Sequence, residues 1–368
     1  MQKDLTIVFG AGVAPFFVIR VISPYIDKQI KISYNVNEFT VESFLTINKG
    51  IGGASMKIKA VINSFSALAF GSGVSKKLIR DNRGYKIFLT IEKIGDICLE
   101  LSYLKRYKQE HPDVKVAIAT RSASNPLYKC FPDSYDKLIP ITNKQQSLLL
   151  HFFHTDSGVV FRKKHPELTC LNPAAWVRRD FIAHSNNVNM GDIAKGALKL
   201  SAETLPGEIN KIELSPEMRA KLDEQHIKKG KTVVINNVSY SCGGPSTAFF
   251  EELVQRLQGK GYAVVTNVVG DQQPVNGTKG LSFPLDEAVG VLDELGYVVG
   301  IRSGFLDLAC FSDATVVAID NDTYYASDAY LIEKIWPQKS NCRTMRYVEN
   351  NTDNTEFINE IVSYIEKH

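Results

Sequence analysis

Three short stretches bring carboxylate, hydroxyl, guanidinium and glycine together in the pattern of a site that moves a proton and holds phosphate. The first is EKIGDI, where Gly95 permits a tight turn after the apolar run KIFLTI, and Asp96 falls near the first turn of the helix that follows. A carboxylate there can serve as a general base, or simply as a first-turn residue favoured by the helix dipole. The second stretch is NNVSYSCGGPS. Ser239 and Tyr240 offer hydroxyls, Gly243 and Gly244 leave backbone amides accessible, and Ser246 is placed to cap the next helix. Such a loop suits a diphosphate, and equally suits an ordinary strand-to-helix turn. The third is GIRSGFLD, in which Ser303 can donate to phosphate, Gly304 lets backbone come close, and Arg302 presents a planar positive fork. The structural alternative for Arg302 is an ion pair with Asp307 or Asp313.

These loops need rigid elements behind them, and the chain supplies alternating strands and helices. KIFLTI (86–91) reads as a buried strand, 96–110 as a helix with Ile97, Leu101 and Leu104 on its apolar side, and VKVAIAT (114–120) as the next strand after the His111-Pro112-Asp113 break. That is a βαβ unit with a right-handed crossover. After HIKKGK a second series follows: TVVINN, a helix over 247–260, YAVVTNVV, a helix over 283–295, YVVGI, a short helix GFLDLACF and ATVVAI. NTEFINEIVSYIEKH closes the chain as an amphipathic helix with Phe357, Ile358, Ile361, Tyr364 and Ile365 on its apolar face. The expected architecture is α/β with two doubly wound, Rossmann-like domains, in which ligands lie outside the carboxyl ends of the strands. Residues 1–205 and 206–350 form the expected domains, with a linker near 200–230 and the helix 351–368 free to pack back on the first domain. Residues 1–85 read only as short strands, turns and helices.

Bulk properties agree with a globular protein of two domains. The chain has 368 residues, 44% hydrophobic and 23% charged, and 43 Lys and Arg against 40 Asp and Glu give a net charge of +3, too little to imply nucleic-acid binding. Its six cysteines show no C-x-x-C pairing, which argues against a zinc site or a disulfide framework and fits a reducing cytoplasm. Pro15 and Arg20 interrupt the N-terminal apolar stretch, and no apolar run is long enough to span a bilayer. Peripheral contact with the inner face of the plasma membrane stays open.

The βαβ unit KIFLTIEKIGDICLELSYLKRYKQEHPDVKVAIATR resembles the corresponding unit of bacterial heptosyltransferase-like glycosyltransferases of family 9, whose loop ends in Gly-Asp. NNVSYSCGGPSTAFFEELVQRLQGKGYAVV resembles their donor-phosphate loop and helix. LDELGYVVGIRSGFLDLACFSDATVVAID resembles the stretch that in the family usually reads Asp-Ser/Thr-Gly-x-x-His-Leu-Ala. The likeness covers about 86–120 and 231–320. It implies a GT-B fold, with two Rossmann-like domains facing each other across a cleft. It also implies transfer of a sugar from a nucleotide-sugar donor to a glycan or glycolipid hydroxyl, in lipopolysaccharide or capsule synthesis, with inversion and without metal or cofactor. On this resemblance Asp96 is the catalytic base, with Lys93, Gly95, Arg178 and Arg179 toward the acceptor. Ser239, Tyr240, Gly243, Gly244, Arg302, Ser303, Gly304 and Asp307 lie toward the donor. The chain departs from the family at Arg302, where an acidic residue is usual, and at Asp307, where His is usual, so ADP-heptose is not implied.

Other readings compete. VFGAGVAPF imitates a dinucleotide fingerprint after a strand, with Pro15 where the third glycine belongs, and would make the chain an NAD-dependent oxidoreductase. HFFHTD sets His151, His154 and Asp156 close enough for a metal, although paired histidines are more often packed or solvated. Arg178-Arg179 after Trp176 can grip an anionic acceptor or stand in a solvated turn. A nucleotide-sugar epimerase on the same fold, or a non-catalytic scaffold, are the remaining alternatives.

Overall fold

The computed structural model describes residues 5–9, 17–21, 28–36, 39–47, 70–90, 93–153, 155–171, 188–225, 227–240, 242–321, 330–348 and 354–368. By compactness the chain divides into Met1–Ser66 and Ala67–His368. The first unit carries an antiparallel sheet of β1 (Leu5–Phe9), β2 (Phe17–Val21), β3 (Lys28–Val36) and β4 (Phe39–Ile47) in sequence order. β1 and β2 pair antiparallel, Phe9 opposite Phe17; the glycines of VFGAGVAPF lie outside the described residues. A dinucleotide fingerprint requires a strand that runs into a helix, whereas the next described element after β1 is its antiparallel partner β2, which argues against that reading.

The second unit holds two parallel sheets. A helix at residues 70–81 (α1) leads into β5 (Lys86–Leu89), α2 (Ile94–Glu110), β6 (Val116–Thr120) and β7 (Lys137–Pro140). α3 (Asn143–Phe153), α4 (Asp156–Lys164) and β8 (Leu168–Cys170) complete the first sheet, ordered β7-β6-β5-β8. α5 (Met190–Leu198) and α6 (Pro216–Glu224) then lead to the second half. It runs β9 (Thr232–Asn236), α7 (Thr247–Gly259), β10 (Ala263–Asn267), β11 (Lys279–Leu281), α8 (Ala288–Leu295) and β12 (Gly296–Ile301). It ends with α9 (Gly304–Ala309), β13 (Thr315–Asn321), α10 (Ile332–Ile335), β14 (Cys342–Tyr347) and α11 (Asn354–Lys367). The six strands are parallel in the order β11-β10-β9-β12-β13-β14, the doubly wound arrangement with its switch point between β9 and β12.

The strands form where β-branched residues run without a break. TVVIN and TVVAIDN are buried at every position, because a parallel sheet has helices on both faces. β7, at an edge, is partly exposed and ends at Pro140, whose missing N–H is tolerated there. One apolar cluster runs from Phe88 and Leu101 through Ile209 and Leu214 to Leu292, Phe305 and Phe311. The stretch 200–230, expected as a linker, contributes Leu200, Ile209, Leu214, Met218 and Leu222 to this cluster. Phe131 and Phe311 meet edge to face across the two halves at 5.8 Å, and Trp336 packs on Phe311 at 4.8 Å. The apolar face of α11 joins Phe249, Val254, Ile319 and Tyr347 of the second sheet and its helices; its partners are in the C-terminal half rather than the N-terminal one.

Candidate active site

Each parallel sheet has a switch point, and the loops that leave it carry the chemistry-bearing residues. In the second sheet these are the loop after β9 and the turn between β12 and α9. The loop is tied down by the Ser239 hydroxyl, which donates to the Arg302 carbonyl at 3.0 Å and accepts from the Cys242 N–H at 3.3 Å. A Cβ at Gly244 would lie 2.5 Å from the Ile301 side chain, so glycine lets the loop close on β12. Ser246 caps α7 as its spacing predicts, accepting from the Phe249 N–H at 3.4 Å. Beneath the loop, Asn267 donates to Asn236 at 2.9 Å, and Asn236 donates to the Ser303 hydroxyl at 3.2 Å.

Arg302 is 7% exposed and spends its guanidinium inside the protein. It forms a two-pronged pair with Asp307, at 2.9 and 2.8 Å, and donates to the carbonyls of Tyr330 at 3.2 Å and Ser303 at 3.0 Å. Trp336 Nε1 donates to the same Asp307 carboxylate at 2.9 Å. Burial disfavours the charged guanidinium, but the Asp307 carboxylate more than offsets this, and Arg302 holds its proton above the ordinary arginine range. Of the two readings of Arg302, the buried ion pair with Asp307 is the one in place. Asp313 instead meets Lys211 at 2.9 Å.

In the first sheet the switch point lies between β5 and β8, and α2 starts just past the end of β5. Asp96 is half-buried in the first turn of α2, where the dipole favours its charge. Gly95 lies within the helix, which begins at Ile94, and not in the expected turn. Its need for glycine comes from packing: a Cβ there would collide with Asp307, and a Cβ on Gly304 would collide with the Gly95 amide. The heads of α2 and α9 thus touch through two glycines. The Cys98 thiol, one turn further along α2, is pushed well up by burial first, then by the charges of Asp307 and Asp96. At the ends of β5 and β6 the hydroxyls form a chain: Tyr128 donates to Thr120 at 3.2 Å and lies 3.3 Å from Thr90, and Thr120 lies 3.1 Å from Ser122.

The sequence matches no protein-family model and no curated protein. Among solved structures, a glycosyl transferase of family 9 from Veillonella parvula aligns with a TM-score of 0.53 at 10% identity, over 77% of this chain and 97% of its own. ADP-heptose lipopolysaccharide heptosyltransferase II of E. coli aligns with a TM-score of 0.49 at 14% identity, over 76% of this chain and 98% of its own. The fold is of the GT-B type.

In this GT-B chain the expected site residues divide into three sets. Gly95, Asp96, Ser239, Gly244, Arg302, Ser303, Gly304 and Asp307 are brought together around the α2–α9 contact and the β9 loop. Lys93 and Tyr240 are exposed, Tyr240 to 99%, and Gly243 is half-buried in the loop before α7. Arg178 and Arg179 lie outside the described residues, as do His154 of the histidine pair and the side chain of Asp156. The remaining histidine, His151, has its ring Nδ1 2.7 Å from the Ser147 carbonyl. Sequence reasoning missed Asn236 and Asn267. The signal was available: each is a single asparagine that ends an otherwise buried strand, in TVVIN and AVVTN.

Proposed function

We propose that this chain is an inverting glycosyltransferase that moves a sugar from a nucleotide-sugar donor to a hydroxyl of a glycan or glycolipid acceptor, in the synthesis of a bacterial surface polysaccharide. The observation that carries this reading is the contact between Gly95 and Gly304, which sets the half-buried Asp96 beside the loops of the second switch point. Asp96 takes the proton of the acceptor hydroxyl as its oxygen attacks the anomeric carbon. The bond to the nucleoside diphosphate breaks on the opposite face, which inverts the configuration. The Ser303 hydroxyl and the amides around Gly243 and Gly244, ahead of the 13-residue helix α7, receive the charge that develops on the leaving phosphate, while the Ser239 hydroxyl, bonded to the Arg302 carbonyl, holds the loop in place. Neither a metal nor an organic cofactor takes part in this scheme.

The buried Arg302–Asp307 pair adds no free charge to the donor side; it holds the β12–α9 turn to which Ser239 is bonded. Lys93, Arg178 and Arg179 are assigned to an anionic acceptor. No helix among the described residues is long and apolar enough to cross a membrane. The reading places the enzyme in the cytoplasm, at the inner face of the plasma membrane where lipid-linked acceptors are presented.

The test is a thermal-shift screen against UDP, GDP, ADP, CDP, dTDP and NAD. A ligand at about 100 times its Kd stabilises the native state by about 2.7 kcal/mol, which moves the melting temperature measurably. A rise with one nucleoside diphosphate supports the reading and names the donor class. A rise with NAD alone, or with nothing at saturation, overturns it.

A further inference from the structure

The three polar side chains at the second switch point can each be assigned a direction. The Val238 carbonyl only accepts, so the atom of Asn236 that lies 3.2 Å from it is the amide nitrogen. The Asn236 oxygen then faces Asn267, whose nitrogen donates to it at 2.9 Å. The second N–H of Asn236 is left for Ser303 Oγ, 3.2 Å away. A hydroxyl has one proton and two lone pairs. With Asn236 donating to one lone pair, the Ser303 proton points away from that amide. That hydroxyl does not cap α9, although Ser303 occupies the cap position.

Burying amides at the ends of strands costs free energy unless each is bonded, and Asn236 and Asn267 are 6% and 7% exposed. A Cβ at Gly300 of β12, opposite Asn236 in the sheet, would collide with the Asn236 backbone and Cβ, so glycine lets the two strands close up there. We infer that Asn236 is a positioning residue for the donor phosphate, turning the Ser303 hydroxyl into a hydrogen-bond donor, with Asn267 holding the Asn236 amide in the required orientation. This rests on the glycosyltransferase reading above. It adds a relay of uncharged groups, in which the amides do not touch the donor and act through one hydroxyl.

The experiment titrates, by calorimetry, the nucleoside diphosphate that raises the wild-type melting temperature, beside its parent nucleoside. If none of ADP, GDP, UDP, CDP and dTDP binds the wild type, the glycosyltransferase reading falls and this inference with it. If one binds, Ser303→Ala raises its Kd about tenfold, the usual weight of a hydrogen bond to a charged group. Affinity for the nucleoside stays the same, and Ser303→Thr keeps the wild-type Kd. Asn236→Leu produces a similar rise and adds nothing further in the Ser303→Ala background. Asn267→Leu produces a smaller rise in the same sense, and decides the matter if Asn236→Leu does not fold. Penalties of Asn236→Leu and Ser303→Ala that simply add, or equal weakening of the nucleoside, overturn the inference and leave the amides as a tie between strand ends.

Discussion

The two switch points of this chain spend their polar groups differently. At the C-terminal one, amides, hydroxyls and an ion pair are bonded to one another: Asn267 to Asn236, Asn236 to Ser303, Ser239 to the Arg302 backbone, Arg302 to Asp307, and Asp307 to Trp336. At the N-terminal one Thr90 and Thr120 are buried at the strand ends, while Asp96 stands half-exposed at the head of α2. A closed network cannot reorganise cheaply, which suits holding a ligand. A carboxylate that takes up and gives back a proton needs access. On the proposed function, the difference separates an edge that holds from an edge that reacts.

Asp96→Asn tests that separation most severely. Turnover is expected to fall by about 10²–10⁴-fold, the usual share of a general base, while nucleotide affinity and melting temperature stay near wild type. Binding lost in proportion to turnover would make Asp96 a structural residue and erase the contrast.

The holding edge should instead fail by unfolding. Arg302→Met leaves Asp307 charged and buried, a loss of about 3–5 kcal/mol in urea denaturation. Adding Asp307→Leu should restore part of it, since no orphaned charge remains. A wild-type midpoint for Arg302→Met alone would show that the pair does not hold the turn.

Gly304→Ala sharpens the comparison at the point where the two edges touch. Its methyl group would collide with the Gly95 amide, and overpacking of this kind costs about 1–3 kcal/mol. Unchanged stability would mean that the helix heads separate easily.

The smallest effect is a labelling pattern. None of the six cysteines is in a disulfide, and five are buried while Cys242, in the loop before α7, is half-buried. Burial pushes the Cys130 thiol up to about 12 and raises the Cys98 and Cys310 thiols well above the ordinary thiol range, so these are not thiolates near neutral pH. A thiol reagent should modify Cys242 alone in the native protein, more slowly with nucleotide bound. Rapid reaction of several thiols would show that the cores that bury them open readily.

Much of the second unit could be read from the chain because its local signals and its tertiary structure agree. KIFL, VAIAT, TVVIN and TVVAIDN are apolar throughout because both faces of a parallel sheet are covered, and Ser246 caps α7 where its spacing placed it. The four strands before Ile47 were harder to separate from turns and helices, since their pattern is the alternation of an antiparallel meander rather than a buried run. Around Asp96 the sequence announced the Gly-Asp pair but offered a turn as the reason for Gly95, which is wrong for a residue inside a helix.

What the sequence determined by itself, then, is the alternation of strands and helices and the residue types at the ends of the strands, because both follow from local patterning. Tertiary structure alone decided why Gly95 is glycine, which carboxylate neutralises Arg302, and which way the Asn236 amide points. The partners in each case, Gly304 for Gly95, Asp307 with Trp336 for Arg302, and Asn267 with Ser303 for Asn236, are brought together by crossovers of the sheets and by the meeting of two helix heads. Contacts of that kind depend on distances in space, which the spacing of residues along the chain does not encode.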